Sequence, residues 1–201
     1  DQKMVSVLIP ARNEEKNIVK CIEGVLSQNY KNKEVIILDD NSNDKTYLLA
    51  SSFVKENLKL LNGTELPSGW LGKNWACHQL AQEAKGEYLL FLDADVELMP
   101  KVISSAVYEL EKSSVTLLSI FPTQIIKSFG EHLIVPLMNW LLLTFLPLKF
   151  VYSCSSKAFV AANGQFMLWK KDDYYTVGGH EKVKNKVVED MELARLAKQN
   201  K

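Results

Sequence analysis

Cysteine is scarce in this chain, with three residues, Cys21, Cys77 and Cys154, among 201. They are far apart, odd in number and outside any C-x-x-C pattern, so neither a disulfide framework nor a structural zinc site is expected, and a reducing cytoplasmic setting fits. Histidine is equally scarce, and His78, His132 and His180 have no spacing that would hold a metal. Net charge is absent, because 24 basic side chains balance 24 acidic ones. That balance argues against nucleic acid or another polyanion as partner. No cleavable leader is expected, since the chain runs almost at once into Val5-Ser6-Val7-Leu8-Ile9. An uninterrupted apolar run of membrane-helix length is missing too: Leu133 to Val151 carries Pro136, Asn139, Pro147 and Lys149. Two readings of that region stand, a membrane-facing surface and a buried core helix. Internal repeats and low-complexity tracts are lacking.

What is present is globular composition, 47% hydrophobic and 24% charged, in a chain sized for one domain. Short apolar runs of strand length occur at Val5 to Ile9, Glu34 to Leu38, Leu58 to Leu61, Tyr88 to Leu92 and Val115 to Phe121. Between them, Ile18, Ile22, Val25 and Leu26 recur at helical spacing, predicting a helix to about Ser27. A second helix is predicted after Asn43-Asp44, a third over Lys73 to Lys85 closing at Gly86, and a fourth from Pro100. This β-α-β order predicts an α/β fold with a mainly parallel sheet flanked by helices, whose ligand lies beyond the carboxyl ends of the strands. The second half holds a Gly-rich passage, Ala161-Ala162-Asn163-Gly164-Gln165 and Gly178-Gly179-His180, then a helix near Val187 to Lys198.

Phe91-Leu92-Asp93-Ala94-Asp95 sets two carboxylates, one small residue apart, at the end of an apolar strand. Residues i and i+2 of a strand point the same way. Two hard oxygen donors so placed suit Mg2+ or Mn2+ with positions left open for substrate phosphates, and such an ion neutralises a diphosphate leaving group. Taken alone, the pair reads more readily as a solvated acidic turn or a cap. A second pair, Asp39-Asp40, also follows an apolar strand, and a carboxylate accepts the imide N–H of uracil. One of the two is thus a candidate for reading a uridine base, whereas Asn43 and Asp44 are more cheaply helix caps. The first strand ends in Pro10-Ala11-Arg12-Asn13-Glu14, a turn that can frame the same base, with Arg12 meeting phosphate or bracing a carboxylate. Three successive strand ends with polar, mostly acidic residues on one rim carry more weight than any one of them.

Strand-Pro-Ala-Arg-Asn-Glu, strand-Asp-Asp-Asn-Ser-Asn-Asp and strand-Asp-Ala-Asp, in this order, resemble glycosyltransferase family 2, which has the GT-A fold. The segment Pro67-Ser68-Gly69-Trp70-Leu71-Gly72-Lys73-Asn74-Trp75-Ala76-Cys77 resembles the branch with hopanoid-associated and carotenoid-type glycosyltransferases, and Asn163-Gly164-Gln165-Phe166 and Val188-Glu189-Asp190-Met191 fit it too. The resemblance implies one GT-A domain over 1–201, with a nucleotide-binding half to about 97 and an acceptor half beyond it. It implies Asp39 or Asp40 at the nucleoside, beside Pro10, Ala11, Arg12 and Glu14; Lys73 near the phosphates; and Asp95 as main ligand of the cation, supported by Asp93 with Ala94 between them. Gly164 and Gln165 would bound the sugar pocket, and Asp190, with Glu189 as its neighbour, would deprotonate the acceptor. A Gln-x-x-Arg-Trp motif common in the family does not occur after Glu189-Asp190, so a C-terminal truncation is expected, with transfer weakened and nucleotide binding kept.

The implied reaction is inverting transfer of a sugar, from UDP-sugar or another nucleotide sugar, to a lipid-like acceptor at the cytoplasmic face of a membrane. A base behind the acceptor oxygen and a metal-held leaving group in front suffice for a single displacement. The alternatives are a sugar-nucleotide-binding or membrane-docking domain without full activity and, more remotely, a nucleotidyltransferase, which would carry a Gly-rich loop where Pro10 to Glu14 stand. Trp70, Trp75 and His78 read as scaffold, and His180 as a loop residue within reach of acceptor or phosphate.

Overall fold

The computed structural model describes residues 2–55, 57–126, 128–145, 148–153, 156 and 158–199. Cys154 and Pro147 lie outside the described residues. Strands β1 (Val5–Ala11), β2 (Lys33–Asp39), β3 (Leu58–Asn62) and β4 (Tyr88–Leu92) pair in parallel in the order β3-β2-β1-β4. They alternate with α1 (Ile18–Leu26), α2 (Thr46–Ser51), α3 (Gly72–Glu83) and, after β4, α4 (Val102–Lys112). β5 (Leu117–Ser119) forms the sheet edge beside the later strand β6 (Phe166–Lys170), which runs antiparallel between β4 and β5. The sheet is therefore mixed and mainly parallel, as the sequence predicts.

Both faces of the sheet are covered, which is why β1 and β4 read as continuous apolar runs rather than alternating ones. Val5, Val7, Ile9, Leu90 and Leu92 pack on one side with Ile18, Ile22 and Val25 of α1 and Ile103 of α4. Leu8, Ile36, Leu89 and Phe91 pack on the other with Ala76, Cys77 and Leu80 of α3. α5 (Phe129–Phe145) and α6 (Leu148–Ser153) follow β5, and α7 (Lys171–Thr176), α8 (Gly179–Lys182) and α9 (Glu189–Gln199) follow β6.

The structure departs from the sequence expectations in four places. β6 has no counterpart among the predicted strands, and the strand expected over Val115 to Phe121 shortens to three residues at the edge. Helix α3 ends at Glu83 with Ala84 extended, so Gly86 is no C-terminal cap. A Cβ at Gly86 would sit 2.7 Å from the Met4 carbonyl oxygen and the Ser6 nitrogen, so glycine is needed there to let the chain pass β1. Finally, α5 is not a buried core helix: Phe129, Leu133, Ile134, Leu137, Trp140 and Phe145 are all exposed. Among the described residues no helix is long and apolar enough to cross a membrane.

Candidate active site

The turns leaving β1 and β2 are laced together. Asn13 and Asn41 adopt positive φ, 58° and 54°, which asparagine tolerates better than most residues. The Asn13 N–H donates to Ser42 Oγ over 3.0 Å, and Asn13 Oδ1 accepts the Asn43 N–H over 2.8 Å. The Glu14 N–H donates to Thr46 Oγ1 and the Glu15 N–H to Asp44 Oδ2, while Asp44 Oδ1 accepts the Thr46 N–H. Asp44 thus opens α2, in keeping with a capping role. Glu14 turns toward α1, its carboxylate accepting from the Asn17 side chain over 2.8 Å. Pro10 and Ala11 are the last residues of β1, opposite Leu38 and Asp39.

Asp39 and Asp40 do different things at the end of β2. Asp40 is largely covered, its side chain 14% exposed, with the exposed Arg12 guanidinium 3.4 Å from its Oδ2. Asp39 is 7% exposed; its Oδ2 accepts the Ser42 N–H over 3.2 Å, and its buried Oδ1 has no hydrogen-bond partner. A buried carboxylate oxygen without a donor is costly, and such atoms in folded proteins call for an explanation.

β4 stops at Leu92, and Asp93-Ala94-Asp95 forms a turn in which the Val96 N–H donates to the Asp93 carbonyl. The like-facing geometry of a strand therefore does not apply to this pair. Ala94 is buried, Asp95 is exposed, and the Asp93 side chain is a quarter exposed. Lys73, in the first turn of α3, places Nζ 2.8 Å from Asp93 Oδ1 and 3.0 Å from Asp93 Oδ2, and 3.4 Å from Glu189 Oε1. Burial lifts the Asp93 carboxyl above its ordinary range; Lys73 pulls it down, and the Asp95 and Asp190 carboxylates push it up. Burial opposes the Lys73 charge, but the Asp93 carboxylate, with Glu189 and Cys77 adding, holds the ammonium above its ordinary value.

The antiparallel return through β6 brings Gly164 and Gln165 to this rim. The Asp93 N–H donates to the Gln165 carbonyl over 3.1 Å. The Gly164 N–H donates to Asp190 Oδ2 over 2.9 Å, and the Met191 N–H to Asp190 Oδ1 over 2.7 Å. A cavity of about 350 Å³ opens here, lined by Lys73, Asp93, Gly164, Gln165, Glu189 and Asp190 among others. A Cβ on Gly164 would stand 3.4 Å from Lys73 Nζ and 3.5 Å from Glu189 Oε1, so any side chain there enters the cavity. A larger apolar groove of about 710 Å³ along α4 and β5 contains none of the strand-end carboxylates.

The start of α3 joins the two clusters. An added Cβ on Gly72 would lie 3.3 Å from Asp40 Oδ2 and 3.8 Å from Arg12, while the next residue, Lys73, grips Asp93 and Glu189. Asn74, which sequence reasoning passed over, is 1% exposed, and its side-chain amide donates to the carbonyls of Val183 (2.9 Å), Lys184 (3.2 Å) and Lys186 (3.0 Å). It fixes the loop that leads into Glu189 and Asp190. His180 is not a loop residue at the cavity: it is 3% exposed, its ring 4.7 Å from that of Phe91 and its Nδ1 2.8 Å from the Tyr174 hydroxyl. Trp70, Trp75 and His78 pack on one another with ring centroids 5.0 to 5.5 Å apart, in line with a scaffold role.

Residues 6–169 match the sequence profile of glycosyl transferase family 2. The chain belongs to this family. Among curated relatives it is 32% identical over 195 residues to a 4,4'-diaponeurosporenoate glycosyltransferase of Staphylococcus haemolyticus, covering 95% of this chain and 50% of that protein. It is 30% identical to the protein of that name from Staphylococcus aureus, covering 96% of this chain and 51% of the relative. The chain thus spans about half the length of the curated relatives it matches. Among solved structures, the Pyrobaculum calidifontis mannosyltransferase PcManGT in complex with GDP-Man and Mn2+ superposes with a TM-score of 0.63 at 21% identity, over 89% of this chain and 48% of that one. S. aureus TarS in complex with UDP-GlcNAc gives 0.61 at 18% identity, over 96% and 53%. These likenesses give the family 2 domain its GT-A fold.

Proposed function

We propose that this family 2 domain is an inverting glycosyltransferase that takes a sugar from a nucleoside-diphosphate donor, UDP-sugar in the first instance. One observation carries the reading. Consecutive residues of α3 border both clusters, since a Cβ added at Gly72 would lie 3.3 Å from Asp40 Oδ2 while Lys73 pairs with the Asp93 carboxylate, which supports a donor lying from the nucleoside end to the phosphate end. The unpartnered Oδ1 of Asp39 supports a base that presents an N–H, as uracil does at its imide.

The residues present fit a divalent cation. Asp93 and Asp95 offer hard oxygen donors on one turn, and the Asp95 and Asp190 carboxylates lie close enough to Asp93 to add their negative charge to its surroundings. Among the described residues no group of three or more His, Cys, Asp or Glu side chains forms a metal cage. Asp95 and Asp93 would thus supply part of the ligand set, with substrate oxygens and water completing it. The cation when bound, Mg2+ or Mn2+, neutralises the departing diphosphate. Solved relatives contain Mn2+ with GDP-Man or with UDP.

The remaining chemistry falls to the chain's own side chains. The acceptor oxygen attacks the anomeric carbon as the bond from that carbon to the diphosphate breaks, and Asp190 takes the acceptor proton. The N–H groups of Gly164 and Met191 hold one lone pair on each Asp190 oxygen, orienting the carboxylate and leaving its other lone pairs for the proton. Arg12 braces Asp40 at the nucleoside, and Gly164 and Gln165 leave room for the sugar.

A lipid-like acceptor at the cytoplasmic face of a membrane is supported by the exposed apolar side chains of α5 and by the carotenoid-derived acceptor in the relatives' names. On this reading the nucleotide half reaches to about residue 97 and the acceptor half follows it. The test is UDP binding with and without Mn2+, followed by UDP release from UDP-sugars in the presence of membrane-lipid extracts. Metal-dependent binding with acceptor-dependent release is expected. Absence of metal-dependent binding defeats the donor reading, and binding without release favours a binding or docking module.

A further inference from the structure

We infer that Lys73 competes with the divalent cation for Asp93, so that cation and nucleoside diphosphate bind cooperatively rather than independently. The inference rests on the donor reading above and goes beyond it, since there Lys73 is only a neighbour of the phosphates.

The Lys73 ammonium spans both oxygens of Asp93, at 2.8 and 3.0 Å, and so covers the lone pairs that a cation on this carboxylate needs. Two cations cannot share one carboxylate at these distances without strong mutual repulsion. Four carboxylates, those of Asp93, Asp95, Glu189 and Asp190, belong to this turn and the facing start of α9, and Lys73 is the cation paired with two of them. Without that ammonium the rim would attract a divalent ion on its own. With it, the ion must displace Lys73 first.

A diphosphate removes the obstacle. The Lys73 side chain is 43% exposed, its stem is flexible, and its anchor on Glu189 is the longer one at 3.4 Å. It follows Gly72, which borders Asp40 and Arg12, so phosphates lying between the two clusters are within its reach. Once the ammonium moves onto phosphate oxygen, the Asp93 carboxylate would be free to hold a cation that neutralises the diphosphate. Each ligand relieves the cost of the other, and by linkage each must raise the other's affinity by the same factor.

The experiment is Mn2+ binding to the chain, followed by the electron paramagnetic resonance signal of free Mn2+, with and without saturating UDP. In the wild type UDP should tighten Mn2+ by about tenfold or more. Lys73→Gln should bind Mn2+ alone about tenfold more tightly and lose most of the UDP coupling. Lys184→Gln removes an equal charge from an exposed side chain with no ion pair to Asp93, and should shift Mn2+ binding by less than about twofold. If Lys73→Gln does not fold by circular dichroism, Lys73→Met, which keeps the stem, is read in its place.

Unchanged or weaker Mn2+ binding in the Lys73 variant, or a coupling factor that survives, overturns the inference. An equal gain in Lys184→Gln also overturns it, because net charge alone would then explain the effect. These outcomes differ from failure of the donor reading, in which the wild type shows no Mn2+-dependent UDP binding at all.

Discussion

The backbone N–H of Gly164 donates to Asp190 Oδ2 across 2.9 Å, tying the turn before β6 to the first turn of α9. Each of the two segments is unremarkable by itself, one a Gly-containing turn and the other an acidic helix start. Joined, they point a held carboxylate into the cavity beside Asp93. Asp190→Asn keeps the shape and accepts from one of the two N–H groups through its single carbonyl oxygen, but its NH2 faces the other donor and it cannot take a proton. Transfer should fall by about 10²-fold or more, with UDP affinity within about twofold of wild type. Normal turnover in Asp190→Asn would remove it from the base role.

Asp39 sets stability against binding. Its buried Oδ1 has no donor within the chain, so the folded protein carries an uncompensated desolvation cost. Asp39→Ala should leave thermal stability unchanged or raise it, and should weaken UDP by about tenfold or more, as for a lost hydrogen bond to a charged group. Calorimetric titration with UDP and a thermal melt give both numbers on one sample. A variant that loses stability and keeps UDP affinity would make Asp39 a structural residue.

Much of the architecture was legible because its signals are local. The runs at Val5, Glu34, Leu58 and Tyr88 are mostly apolar, as strands of a sheet covered on both faces are, and they mark β1 to β4 within two residues at either end. β6 was not legible: Phe166–Lys170 follows a Gly-containing turn, and its insertion between β4 and β5 depends on long-range pairing that no local pattern reports. The same holds at the site. Carboxylates at strand ends announce themselves by position, whereas Lys73 gripping Asp93 and Asn74 clasping a loop more than a hundred residues later depend on how α3 meets the α8–α9 connection. A signal for Asn74 was present, since an amide beside Ala76 and Cys77 on the buried side of a helix must find partners. Gly178-Gly179 misled in another way. It reads as flexibility, yet a Cβ on Gly179 would meet the Tyr174 ring at 2.6 Å, so the glycine marks tight packing.

Asn74→Ala removes a buried amide that donates to the carbonyls of Val183, Lys184 and Lys186, of which Val183 and Lys184 keep backbone donors from the Lys186 and Leu71 N–H groups. The expected cost is about 1–3 kcal/mol in unfolding free energy by urea titration. Because the loop from Val183 to Lys186 leads into α9, the variant should also lose turnover more than it loses UDP affinity. Asn74→Asp should do worse, since a carboxylate would face three carbonyl oxygens. Equal stability of the alanine variant and the wild type would show that water replaces the amide there.

His180 predicts how the domain responds to acid. Its ring is buried, and burial, with the Lys73 and His78 charges adding, pushes its pKa down to about 3. The Tyr174 hydroxyl accepts the His180 N–H and pairs with Nδ1, and burial holds that hydroxyl protonated, so it can donate to an unprotonated Nδ1. The unfolded chain takes up a proton on this ring near pH 6.5, while the folded chain resists until about pH 3. Between those values the unfolded state binds more protons, so stability rises with pH and is lost as pH falls through that window. Urea titrations at pH 7, 5.5 and 4.5 should show wild-type stability declining, and His180→Gln, which cannot protonate, should decline with a shallower slope. Parallel slopes in the two proteins would assign the acid response to the carboxylates instead.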